Sequence, residues 1–216
     1  MFDGLAFLPS ADHLLPFMAA AIALNLTPGA DMTYVISRSL AQGRGAGIAS
    51  AFGIFGGSAV HTLLAAVGVS ALLAASAVGF EILKWVGAAY LLYLAIKLFL
   101  EKVGPDGLAA AKPASLWRIW AEGVVVNVLN PKVALFILAF LPQFTEPAKG
   151  LVWAQILVLG TLFNISGTIV NCGVAVLAGG LAERLRRRPR IKVWMNRVTA
   201  TILGALAVRL ALSERH

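Results

Sequence analysis

The stretch "LNLTPGADM" (residues 24–32) places a proline, a glycine and an aspartate inside the first long apolar segment of the chain. Pro28 has no N–H, and its ring collides with the carbonyl of Leu24, so a helix through this segment must break here. A second stretch, "NVLNPKVAL" (residues 127–135), repeats the arrangement: Pro131 does to Asn127 what Pro28 does to Leu24. Asparagine again precedes the proline and a charged residue, Lys132, follows it. The carbonyls freed by such breaks find no partner in lipid, so protein or a water-filled cavity must supply one.

Lipid is the surrounding that the composition demands. The 216 residues are 59% hydrophobic and 13% charged, with a mean hydropathy of +0.84, which is too apolar for a soluble domain of this length. Residues 45–80 and 150–182 contain no Asp, Glu, Lys or Arg, and each run exceeds the roughly 20 residues needed to cross a bilayer core. The reading is an all-α polytopic membrane protein. Apolar runs predict six transmembrane helices over residues 14–37, 46–78, 82–100, 119–141, 151–179 and 193–212. The last is the weakest, because Arg197 and Arg209 leave only 11 uncharged residues between them. The N-terminal segment has no basic region ahead of its apolar run, so it is expected to stay as a helix and not to be removed as a signal peptide.

The formal net charge of +8 reads as a topology signal and not as nucleic-acid binding. The densest run, "RLRRRPRIK" (residues 184–192), has no interleaved aromatics and lies between two apolar segments. With six spans, 13 of the 18 Lys and Arg residues fall on one side, and these include Arg38, Lys102, Lys112, Arg118 and Arg197. Positive-inside bias makes that side cytoplasmic and puts both termini outside. The stretch "KVGPDGLAAAKPAS" (residues 102–115) is the one linker. It divides a single transmembrane domain, 1–216, into repeats of about 12–101 and 117–212, with 102–116 between them.

Three spans per half make the halves point in opposite directions. Pro28 lies ten residues before Arg38, or about 15 Å at 1.5 Å per residue, close to the bilayer midplane. Pro131 lies 13 residues from Arg118 and 11 from Pro142, again near the middle. Helices 1 and 4 are therefore interrupted at matching depth, the layout of secondary transporters built from two inverted three-helix repeats.

Intramembrane polar residues are expensive and point to function. Asp31 reads as a proton carrier, as an anchor for a substrate ammonium, or as the cap of the half-helix after Pro28–Gly29. Lys132 can pair with Asp31, receive a substrate carboxylate, or be held by freed carbonyls. Asn25, Asn127 and Asn130 repair the breaks locally or bind a ligand. His61 lies at helical spacing from Gly53 and Gly57, on a face small enough for close packing; it reads as an interhelical hydrogen bond or a proton relay. Asn164, Asn171 and Cys172 read as packing or cavity lining. Glu122 follows Arg118 by four residues, an ordinary helical ion pair, and Lys84 is expected to snorkel outward.

Enzyme signatures are missing. Three histidines form no HExxH or other metal cluster, no Walker-type glycine loop occurs, and Asp31 is the one intramembrane aspartate. Cys172 is the only cysteine, which excludes an intrachain disulfide. No metal and no cofactor is expected. The alternatives to a carrier are a passive channel for small solutes and a non-transporting membrane accessory subunit.

Over nearly its full length the chain resembles the LysE/RhtB family of bacterial amino-acid exporters. Its first-helix motif is matched by Asn25, Pro28, Gly29 and Asp31, with Ala30 in place of a second proline. Gly53, Gly57 and His61 match the second helix. "LKWVGAAYLLYLAIKL" resembles the third through Lys84, Gly87, Tyr90, Leu91, Tyr93 and Leu94, with Ala95 where glycine is usual. "GVVVNVLNPKVALFILAFLPQF" matches the fourth at Gly123, Asn127, Asn130, Pro131, Lys132, Phe136, Leu141, Pro142, Gln143 and Phe144. The resemblance implies proton-driven, ATP-independent efflux of an amino acid or close derivative across the inner membrane, with oligomeric state left open. It places the substrate or coupling site at Asp31, Asn25, Pro28, Gly29, Asn127, Asn130, Pro131, Lys132 and His61. Glu122 departs from the family pattern and leaves substrate charge open.

Overall fold

A computed structural model describes residues 7–75, 77–100, 112–187 and 189–212. Among them there is no β-strand. The helices are α1 (Ala11–Leu26), α2 (Ala30–Gln42), α3 (Arg44–Ala75), α4 (Ala77–Leu100), α5 (Leu116–Val128), α6 (Pro131–Leu135), α7 (Val152–Arg187) and α8 (Pro189–Leu212). The protein is an all-helical membrane protein.

Both breaks occur where proline requires them. α1 and α2 are bent by 45° across Thr27–Gly29. α5 and the segment from Pro131 to Phe144 are bent by 55°. That second segment begins as α6, widens to a π-turn over Phe136–Phe140 and tightens to a 3₁₀ turn over Leu141–Phe144. π-turns inside helices are frequent at functional sites. Each bent pair is long and apolar enough to count as one broken span, and α3 and α7 pass unaided over Arg44–Gly68 and Val152–Ala178. α4 and α8 have 24 residues each, or about 36 Å of helix.

The helices run further than the apolar runs that announced them. The basic stretch 184–192 is no loop among the described residues: α7 continues through Arg187 and α8 starts at Pro189. Proline suits that first position because its missing N–H is one no helix would use. Likewise α3 runs to Ala75 and α4 begins at Ala77. Between α2 and α3 the chain reverses at Gly43, whose φ of +83° is left-handed backbone that glycine adopts without a steric penalty. The expectations for Lys102, for most of the linker, for the terminal residues and for the side chains of Lys84 and Arg184–Lys192 fall outside the described residues.

α3 packs against α5, α7 and α2, while α7 packs against α1 and α2, and α4 packs against α8. The α3–α5 crossing is close because Gly53 and Gly123 face each other: a Cβ on Gly53 would stand 2.2 Å from the Trp120 carbonyl oxygen and 3.0 Å from the Gly123 Cα. Two apolar clusters result. One gathers Phe17, Phe136, Phe140, Phe144 and Phe163 with Leu24 and Leu159, and neighbouring ring centroids lie 4.8–6.0 Å apart. The other holds Met32, Val35, Ile36, Ile54, Val174 and Ala175.

Candidate functional site

The two breaks lie side by side and repair each other. The Lys132 ammonium donates to the carbonyl oxygens of Leu24 and Thr27, each at 3.2 Å. These carbonyls lost their helical partners because Pro28 interrupts the ladder. Gly29 makes the approach possible, since a Cβ there would meet Lys132 Nζ at 3.2 Å. In return, Asp31 Oδ2 accepts from Asn127 Nδ2 at 3.1 Å. At the second break, the freed carbonyl of Asn127 accepts the N–H of Asn130 at 2.9 Å and lies 3.3 Å from His61 Nε2. Asn130 caps α6 by accepting the Lys132 N–H at 3.0 Å, the usual work of asparagine before a helix.

These contacts bear on several readings made from the residues. Lys132 is held by freed carbonyls. Asp31 does not cap its half-helix: Gly29 occupies the cap position and Asp31 stands in the first turn of α2, where a carboxylate suits the helix dipole. His61 makes the interhelical bond. Asn25 ties the first break to α7, donating to the Phe163 carbonyl at 3.2 Å and to Ser166 Oγ at 3.0 Å. The Thr27 hydroxyl bonds the Ala23 carbonyl and Thr199 of α8, both at 2.7 Å.

Between the breaks, α3 and α7 lies a narrow cleft, lined by Asn25, Asp31, Ile54, Phe55, Ser58, Asn127, Val133, Phe163, Asn164, Gly167, Thr168 and Asn171. A second narrow cleft shares Asn25, Asp31, Val133 and Asn171 with it and reaches Lys132. Four buried polar atoms on the first cleft have no hydrogen-bond partner within the chain: Asp31 Oδ1, Ser58 Oγ, Asn127 Oδ1 and Asn164 Oδ1. Each such atom carries a desolvation cost of about 1–3 kcal/mol unless something else bonds it. Ser58 was not singled out from the sequence, and Asn164 was read mostly as packing. A signal existed: Ser58 and His61 on α3, and Asn164, Thr168 and Asn171 on α7, follow helical spacing inside uncharged runs, a polar stripe that lipid would not tolerate.

Polar clusters join the broken spans at either end. At one end, buried Arg38 pairs with Glu122 and donates to the Lys112 carbonyl. Tyr34 Oη lies 2.8 Å from the Ile119 carbonyl and 3.2 Å from Glu122 Oε2, and Arg118 Nε completes the set at 2.9 Å from Glu122 Oε1. The expected Arg118–Glu122 pair is therefore one edge of a larger network. At the other end, Glu146 accepts the N–H of Ser10, pairs with Lys149 at 3.1 Å and lies 3.2 Å from His13 Nδ1. Burial works against the Glu146 carboxylate, but the Ser10 N–H and hydroxyl, Lys149 and His13 outweigh it and hold its pKa at about 2.

Residues 22–214 match the family described as LysE type translocator. The chain belongs to that family. A relative from Salmonella typhimurium, a homoserine/homoserine lactone efflux protein, is 31% identical over 200 residues, covering 93% of this chain and 96% of its own. A leucine efflux protein from Salmonella choleraesuis is 30% identical over 150 residues, covering 69% of this chain and 71% of its own. A membrane protein of Vibrio cholerae without an assigned role is 31% identical over 93% of this chain and 97% of its own. No solved structure matches. Members of the LysE family are transporters and not enzymes, and among the described residues no group of His, Cys, Asp and Glu could hold a metal ion.

Proposed function

We propose that this protein exports amino acids or close derivatives across the bacterial inner membrane by proton-coupled alternating access. Six spans form two inverted repeats, the Arg38–Glu122 end faces the cytoplasm, and both termini lie outside. The observation that carries this reading is the cleft between the two breaks, with its four buried, unpartnered polar atoms. A site at paired interrupted helices is how inverted-repeat carriers hold small zwitterions. The relatives named for homoserine and leucine efflux support a substrate of that size.

The packing supports the repeat. Exchanging the halves turns the α3–α5 contact into α7–α1, and turns α3–α7 and α4–α8 into themselves. The same exchange relates the polar cluster joining α2 to the start of α5 to the one joining the segment after α6 to the start of α1. Alternating access needs a barrier on each side of the site. The aromatic cluster and Glu146 supply one, and the Met32–Val174 cluster and Arg38–Glu122 supply the other. A continuous pore would carry neither plug.

Asp31 is the carboxylate in the cleft with an open acceptor, Oδ1. In the proposed cycle it takes a proton from outside and releases it inside as substrate leaves the cell. The test is counterflow in proteoliposomes with a labelled amino-acid panel, for wild type and Asp31→Asn. Saturable exchange acceleration, with dependence on the pH gradient lost in Asp31→Asn, is the expected result. Flux without exchange acceleration identifies a pore, and unchanged gradient dependence removes Asp31 from coupling.

A further inference from the structure

The cleft also limits the charge its occupant can carry. Asp31 Oδ1, Asn127 Oδ1 and Asn164 Oδ1 are acceptors, and the hydroxyl of Ser58 can accept as well. Asn127, Ser58 and Asn164 are 1%, 3% and 6% exposed and line the cleft, so their open atoms are shielded from the lipid. A set of one carboxylate oxygen and several neutral oxygens is what a primary ammonium with three N–H donors requires. It is a poor seat for an anion.

The charges nearby allow one cation of the ligand and no more. Asp31 is the one charged side chain lining the first cleft, and Lys132 is the one cation lining the second. An amino acid with an uncharged side chain matches that pair, ammonium toward Asp31 and carboxylate toward Lys132. A dibasic amino acid brings a second cation. The carboxylate that could have answered it, Glu122, is engaged by Arg38, Arg118 and Tyr34. The remaining lining is apolar at Ile54, Phe55, Val133 and Phe163 and neutral-polar at Thr168 and Asn171. A charge left without a partner in such surroundings is strongly disfavoured.

We propose that Ser58, Asn127 and Asn164 complete with Asp31 a pocket for one primary ammonium, and that this pocket restricts the carrier to monoamino zwitterions with short uncharged side chains. The proposal rests on the transport reading above and adds the substrate class and two ligand-binding residues, Ser58 and Asn164.

The experiment is counterflow by the full chain in proteoliposomes, with labelled leucine, threonine and lysine, and with unlabelled N-acetyl-leucine as competitor. Wild type should exchange leucine or threonine at least tenfold better than lysine, and N-acetyl-leucine, whose ammonium is masked, should compete at least tenfold more weakly than leucine. Asn164→Asp, which adds a second carboxylate, should raise the lysine-to-leucine ratio at least tenfold; Asn164→Leu should weaken the apparent affinity for leucine. Ser58→Ala, a smaller change, should weaken leucine affinity in the same direction and stands in if the Asn164 variants do not fold. Lysine exchanged as well as leucine, or N-acetyl-leucine competing as well as leucine, overturns the pocket while leaving the carrier reading intact. If wild type exchanges none of the three, the carrier reading fails instead. Thermal stabilisation of the purified protein by leucine but not by N-acetyl-leucine then decides the ammonium pocket by itself, and equal response or none overturns it.

Discussion

The ammonium of Lys132 sits 3.2 Å from the carbonyl oxygens of both Leu24 and Thr27, so the residue after one helix break closes the other. Asn127, just before the second break, reaches Asp31, just after the first, at 3.1 Å. Neither broken helix is complete without its partner, and the cleft lies where they meet.

Lys132→Ala should therefore damage the fold as well as the site. Hydrogen bonds to a charged group contribute about 1.5–3 kcal/mol, and a buried carbonyl left unpartnered, as at Thr27, costs about 1–3 kcal/mol, while the Leu24 carbonyl keeps the Thr27 N–H at 3.2 Å. The expected outcome is a clear fall in melting temperature in detergent. An unchanged melting temperature would show that the Leu24 and Thr27 carbonyls find other partners.

The Arg38–Glu122 pair invites a double-mutant cycle. Glu122→Gln leaves a buried guanidinium with an unpaired charge, and breaking a buried pair from one side typically costs about 3–5 kcal/mol. Because Glu122 is itself partly exposed, the lower part of that range is expected. Arg38→Met combined with Glu122→Gln should recover part of the loss. Additive losses in unfolding measurements would mean that the two side chains act independently.

Gly53→Val should disrupt the α3–α5 crossing. The added Cβ meets backbone, the Trp120 carbonyl oxygen at 2.2 Å, which cannot swing aside as a side chain can. Overpacking typically costs about 1–3 kcal/mol, and a backbone collision belongs at the top of that range. Gly45→Val, with nothing within 4 Å of its Cβ position, is the control and should differ little from wild type. Equal expression and stability of the two variants would contradict the close crossing.

Glu146 has a pH signature. Its pKa is held at about 2, below the ordinary value of 4.5. Between these values the unfolded chain binds the proton first, so stability rises with pH across that window. The contribution is complete above about pH 4.5 and is lost as pH falls through about 2. Wild type should therefore exceed Glu146→Gln in thermal stability at pH 7 and at pH 5, and the gap should narrow only in strong acid. A gap that closes well above pH 4.5 would contradict the lowered carboxylate pKa.

Much of this was legible in the residues. Pro28 and Pro131 compel breaks because a ring without an N–H cannot continue a helix, whatever surrounds it. The uncharged runs call for lipid around them, and the spacing of the breaks predicts one depth for both. Helix limits were less legible. Apolar runs end where charge begins, whereas α7 carries its hydrogen-bond ladder on through Arg187.

Tertiary structure decided which partner each polar group takes. Asp31 had an aspartate's freedom to cap, pair or carry a proton. Lys132 stood equally ready for a carboxylate or for carbonyls, and Glu122 had one visible partner four residues away. Local sequence constrains backbone through sterics of a few ångströms, but a hydrogen bond between residues 24 and 132, or 38 and 122, depends on where whole helices cross. Gly29, Gly53 and Gly123 set those crossings by leaving space, and what fills the space belongs to another segment. The open oxygens of Ser58, Asn127 and Asn164 follow from the same cause, since an atom without a partner is defined only by everything packed around it.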